Sequence, residues 1–153
     1  MAQPSALAVA IELAERRRDA ARQRLAQAVG HQQAAQAQLD QLQGYAGETQ
    51  AKWGIQPHTV RSPEVMGHHY QFMARLQHAV GLQAEVMARH ADHVDGARRA
   101  LTEAELRVAS LRKLAGQRAR EAERSQQRRE QKQLDEMAAL QHRRRLQAGG
   151  PWS

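Results

Sequence analysis

LAVAIELAERRRDAARQRLAQAVGHQQAAQAQLDQLQGYA, residues 7–46, places Leu7, Ile11, Ala14, Arg18, Ala21, Leu25, Ala28, Gln32, Ala35, Leu39, Leu42 and Ala46 at alternating four- and three-residue steps. A stripe that returns every 3.5 residues keeps one narrow helix face on a partner helix, as a left-handed coiled coil requires. Arg18 and Gln32 interrupt it. Polar residues in such a seam cost stability and fix register, so they point to a specific partner. The pattern then stops at Gly44, Gly47, Gly54, Pro57 and Pro63, a cluster that reads as a connector. Inside it, Ser62-Pro63-Glu64 has the chemistry of a helix start. Ser caps free amides, Pro suits the first helical position, and Glu favours the positive end.

A second stripe follows: Leu76, Val80, Gln83, Met87, His90, Val94, Ala97, Leu101, Ala104, Val108, Leu111 and Ala115. It covers the same length of chain as the first. Two equal seams joined by a connector predict an antiparallel hairpin, with Leu7 near Ala115 and Ala46 near Leu76. Paired positions should add up to about 122, give or take a turn, over a rod of roughly 60 Å at the helical rise. The expected fold is therefore all-α, an antiparallel two-helix coiled-coil hairpin. Its parts are a first helix over 1–46, a connector over 47–62, a second helix over 63–115 and an extension over 116–153. Residues 116–133 are nearly all Arg, Glu, Gln and Ala, good helix formers with no seam to bury. Large apolar residues return only at Leu134, Met137 and Leu140, so the extension is read as polar, helical or partly disordered.

Composition agrees. The 153 residues include two Trp, two Tyr and one Phe, too few aromatics for a thick core. The richness in Ala, Glu, Leu, Arg and Gln is that of long helices. There is no cysteine, which excludes disulfides and thiolate metal sites and suits a reducing compartment. No apolar run of about 18 residues is present to span a bilayer. The first Arg cluster (Arg16, Arg17, Arg18) follows the apolar residues, the wrong order for a secretory signal. A cytoplasmic location is expected. The net charge of +7 is lopsided. Residues 112–153 carry eleven Lys/Arg against five acids, a tail suited to an acidic partner.

No catalytic chemistry is legible. His90 and His93 have helical spacing with Asp92 and Asp95 nearby, and His68 adjoins His69. Yet His90 falls in the seam and His93 off it, and no further ligands converge. Phosphate loops, nucleophile elbows and paired catalytic carboxylates are absent. The reading is a non-enzyme with no catalytic residue, no metal, no cofactor and no small-molecule substrate. Arg128-Arg129 and Arg143-Arg144-Arg145 could contact nucleic-acid phosphates. Interleaved Glu121, Glu123, Glu130, Asp135 and Glu136, and the lack of aromatics for base stacking, favour a solvated helix with local charge pairs such as Glu121–Arg124.

Several stretches carry a family resemblance. They are Leu7 to Glu15 with its Arg-rich continuation, the Gly/Pro connector, and Tyr70-Gln71-Phe72-Met73-Ala74-Arg75-Leu76. The most specific is Arg129-Glu130-Gln131-Lys132-Gln133-Leu134-Asp135-Glu136-Met137-Ala138. Over most of its length the chain resembles FliJ, the coiled-coil component of the bacterial flagellar type III export apparatus. The resemblance implies a stalk that enters the hexameric export ATPase (FliI), contacts the export gate protein (FlhA) and handles export chaperones. The site would be the cytoplasmic face of the inner membrane. Carried over, the gate-binding face is Phe72, Leu76 and Ala79, with Gln83 where the family often has His. The ATPase contacts are expected at Arg120, Arg124, Arg128, Lys132, Asp135 and Glu136, through Coulombic attraction to an acidic pore rim. The stalk protein of a virulence secretion system and a basic nucleic-acid-binding hairpin are the alternative readings.

Overall fold

A computed structural model describes residues 3, 5–54 and 62–149. Among them the chain forms two helices that pack against each other, α1 (Ala6–Gly54) and α2 (Pro63–Ala148). Both starts are capped by serine. The Ser5 Oγ accepts the Ala8 N–H at 3.1 Å, and the Ser62 Oγ accepts the Val65 N–H at 3.2 Å, each satisfying a free amide of the first turn. Pro63 stands first in α2, where its missing N–H costs nothing. At the far end the Gly149 N–H donates to the Arg145 carbonyl at 2.8 Å and closes the last turn.

The chain divides into two compact units, one of Ala14–Leu106 and one of Met1–Leu13 with Arg107–Ser153. In the first, α1 from residue 14 pairs antiparallel with α2 up to residue 106. Every heptad position read from the sequence within this unit is buried or half-buried. Ala14, Ala21, Ala35, Leu76 and Val94 are the most enclosed. Small alanines let two helices approach closely, and the Leu and Val side chains fill what remains. Register is held by cross-helix pairs. The His31 and His90 rings stack at 6.3 Å, and Trp53 lies flat on His69 at 3.8 Å. The Gln83 side-chain amide donates to the Ala35 carbonyl at 2.9 Å and to Gln38 Oε1 at 3.2 Å.

The seam extends further toward the connector than the glycines suggest. The sequence reading places a connector from residue 47, whereas α1 runs on through Gly54. Gly44 and Gly47 lie inside the helix, with open space where a Cβ would stand and no positive φ. They are tolerated at roughly 1 kcal/mol each relative to Ala. The heptad phase resumes past them. Thr49 and Trp53 on α1, and Met66, His69 and Met73 on α2, continue the stripe and are half-buried. Burial of these side chains offsets the glycine cost. Ile55 to Arg61, within the expected connector, lie outside the described residues.

Arg18, the first break in the stripe, sits in the seam with its side chain 17% exposed. Its guanidinium reaches out to Asp19, with Nε donating at 3.2 Å, and Asp19 also faces Arg22 at 3.8 Å. The aliphatic stem covers the seam while the charge stays at its margin.

In the second unit, α1 residues 6–13 lie against α2 from residue 107. Val108 is buried. Leu7, Ala8 and Ile11 share a shallow hollow with Ala115, Arg118 and Ala119. From residue 120 α2 continues alone to Ala148, exposed at every residue but one, the half-buried Ser125.

The antiparallel pairing gives a direct test. With cysteines in place of Leu25 and Ala97 in this cysteine-free chain, a short thiol cross-linker should join the two within one molecule at low concentration. Products of doubled mass alone would instead require a parallel pairing of two chains.

Candidate protein-binding sites

No helix is long and apolar enough to cross a membrane, and no group of three His, Cys, Asp or Glu could hold a metal, both among the described residues. His90 stacks on His31 and meets His93 edge-on at 6.4 Å, a seam contact between rings. What the structure offers is surface, in two places.

The first surface lies in the unit of residues 14–106. Of the four residues the sequence singles out there, two belong to the seam. Leu76 is 8% exposed, and Gln83 spends its amide on Ala35 and Gln38. Phe72 is 40% exposed and meets Tyr45 edge-on, centroids 6.0 Å apart. Ala79, half-buried, lies two turns along the same helix face.

The partners on α1 escape a sequence reading confined to one helix. Tyr45 is 54% exposed. With Gln38, Gln41, Leu42 and Gln83 it lines an open hollow between the helices. A signal for them does exist. Gln38, Tyr45, Phe72 and Ala79 each stand one residue before a heptad position. In an antiparallel pair such positions flank the same edge of the seam. The edge is uncharged, aromatic and half-apolar, the composition favoured at the anchor of a protein interface.

The second surface lies in the other unit, on the unaccompanied stretch of α2. Arg120, Arg124, Arg128, Lys132 and Glu136 recur at every fourth residue, so each lies nearly above the last, with the line winding slowly round the helix. All five are exposed, as is Asp135, which accepts a hydrogen bond from Gln131 at 3.1 Å. Gln126 bonds Glu130 in the same four-residue manner at 3.2 Å. The Glu121–Arg124 pair that the spacing allows is not formed. Among the described residues, no carboxylate holds the basic side chains of the stripe. A cationic helix in this state presents fixed charge to any acidic surface within about 10 Å.

Exposed apolar residues also collect here. Leu134, Met137, Leu140 and Leu146 all stand out from the helix. The sequence shows the first three as a short patch. Their lack of any cover is a property of the fold.

Comparison with known proteins gives one family. The family model described as Flagellar FliJ protein matches residues 4–147. No curated protein and no solved structure matches the chain significantly.

Proposed function

The chain belongs to the FliJ family, a component of the flagellar type III export apparatus, and from that premise we propose that it is the stalk of the export ATPase. In this reading the C-terminal part of α2 enters the pore of the hexameric ATPase, FliI. The Tyr45–Phe72 edge docks on the export gate protein, FlhA. The protein also handles export chaperones, and it works at the cytoplasmic face of the inner membrane without chemistry of its own.

The observation that carries the reading is the unaccompanied helix. Residues 120–148 form regular α-helix with almost every side chain exposed, and nothing among the described residues covers them. A helix of this kind is preformed for a partner, so little ordering entropy is lost when it binds. A single helix, about 10–12 Å across with side chains, suits a ring pore. Its Arg and Lys stripe supplies long-range attraction. Exposed ion pairs contribute little one by one, so the stripe serves orientation and rate of entry more than strength.

The test is to mix the protein with the ATPase encoded in the same genome, measuring binding and hydrolysis over a salt series. Association should weaken steeply as salt rises through about 0.1 M, where exposed charges are screened beyond roughly 10 Å. Nucleic acid should not compete at physiological salt. Retention on nucleic acid under those conditions, with no ATPase binding, would favour the nucleic-acid alternative. Partners encoded beside needle genes rather than flagellar ones would favour a virulence secretion stalk.

For the gate surface, Phe72→Ala should remove an exposed aromatic anchor worth about 2 kcal/mol or more of binding. Because Phe72 is only partly covered, the melting temperature should move little. Tyr45→Ala should weaken gate binding too, since each ring supports the other. A large loss of stability in Phe72→Ala with gate binding intact would assign the ring to hairpin packing instead.

A further inference from the structure

The exposed face at the end of α2 has an internal symmetry that the stalk reading does not use. At 100° per residue, one sector of roughly 120° between residues 130 and 144 holds seven side chains. They are Glu130, Gln133, Leu134, Met137, Leu140, Gln141 and Arg144. Equal spacing about Met137 follows from helix geometry alone. The matching chemistry does not. Leu134 mirrors Leu140, Gln133 mirrors Gln141, and at the two ends Glu130 mirrors Arg144 with opposite charge. The centre is bare, with Leu134 61%, Met137 60% and Leu140 49% exposed.

We propose that this face pairs antiparallel with the same face of a second copy of the chain. In such a pair a two-fold axis passes by Met137. Each Leu134 then lies against the other copy's Leu140, the glutamines face each other as side-chain amides that both donate and accept, and each Glu130 meets an Arg144 at both ends. An isologous interface needs a surface complementary to itself under a two-fold rotation. A stripe acidic at one end, apolar in the middle and basic at the other satisfies that in the antiparallel sense. Parallel pairing would set Glu130 on Glu130 and Arg144 on Arg144.

This occupant also accounts for the phase of the stripe. Continued in three- and four-residue steps from Leu111 and Ala115, the last seam positions of α2, the heptad stripe would fall on residues 132, 136, 139 and 143, and Leu134, Met137 and Leu140 all miss it. Their line is therefore not the hairpin seam carried on for a missing length of α1.

Three apolar side chains per copy fall well short of the 1,200–2,000 Å² or so buried in stable complexes. The pair is therefore weak and reversible, formed when the protein is concentrated. It covers the helix that the stalk reading sends into the ATPase, so the two bound states exclude each other. The self-pairing itself does not depend on that reading.

Sedimentation equilibrium of the full chain, without other proteins, tests it from micromolar to near-millimolar concentration. The average mass should rise from the 17.2 kDa monomer toward twice that value. Met137→Glu should keep it at the monomer throughout, because it sets two carboxylates together on the axis. Glu130→Arg and Arg144→Glu should each weaken association about tenfold, and the double exchange should restore it. Circular dichroism should show the helix unchanged in all of them. A mass that never rises, or association indifferent to the Met137 and charge variants, overturns the proposal. Association abolished by both single exchanges and not restored by the double one overturns the antiparallel register. Competition by the ATPase is a separate measurement, so failure of the stalk reading leaves this result standing.

Discussion

A chain cut after Ala119 is expected to keep its helical hairpin and lose the export ATPase. The position of the cut matters. Ala115, Arg118 and Ala119 share a hollow with Leu7 and Ile11, so removal from residue 116 would strip cover from the start of α1. From residue 120 onward the side chains are nearly all exposed, and their loss uncovers almost no apolar surface. The melting temperature of the remaining hairpin should shift by no more than a few degrees. Binding to the ATPase, and any stimulation of its hydrolysis, should fall by ~100-fold or more, about 2.7 kcal/mol. That loss removes both the cationic stripe and the exposed leucines. Neutralising Arg120, Arg124 and Arg128 together should separate the two contributions. If charge supplies mainly encounter, the association rate falls and its salt dependence flattens, while dissociation changes less. Normal stimulation by the truncated chain would move the ATPase contact to the basic residues of α1, beginning with Arg16, Arg17 and Arg22.

The largest effect on stability should come from one seam valine. Val94 is 3% exposed, and it lies one turn from His90, whose ring stacks on His31. Val94→Asp would place a carboxylate between the two helices, where a valine is buried now. An uncompensated buried charge costs about 3–5 kcal/mol. That is a large share of the 5–15 kcal/mol or so typical of a whole domain, and a thin seam has no thick core to absorb it. Loss of most helical signal at 37 °C in the variant, read by circular dichroism, is the expected result. The matched control is Leu106→Asp on the outer surface. Leu106 is 62% exposed, and its replacement should alter stability by less than about 0.5 kcal/mol. Equal melting curves for the two variants would mean that the seam does not run through Val94.

These contrasts also show where sequence was sufficient. Two stripes of period 3.5, equal in length and separated by Gly and Pro, determine an antiparallel helical pair. Period and phase are local properties, and a helix with one apolar stripe has a single economical way to bury it. Every heptad position read from the stripes is at least half-buried. Ser62-Pro63-Glu64 was legible as a helix start for the same reason, since capping involves only neighbours along the chain.

The tertiary structure decided what depends on the other helix. Gly44 and Gly47 read locally as breakers, yet the seam carries α1 through to Gly54, because Trp53 finds His69 across the gap and that burial outweighs the glycine penalty. The stripe already places Leu76 in the seam and Phe72 off it, and only the pairing sets Tyr45 beside Phe72. Gln83 reads both as a seam position and as part of the gate face, and its bond to the Ala35 carbonyl assigns its amide to the seam. At the end of α2 the sequence shows charge and a few leucines, while the exposure of residues 120–148 is read only from the structure. Composition and periodicity are written in each helix singly. Exposure belongs to the pair, since it depends on which side chains the partner helix reaches.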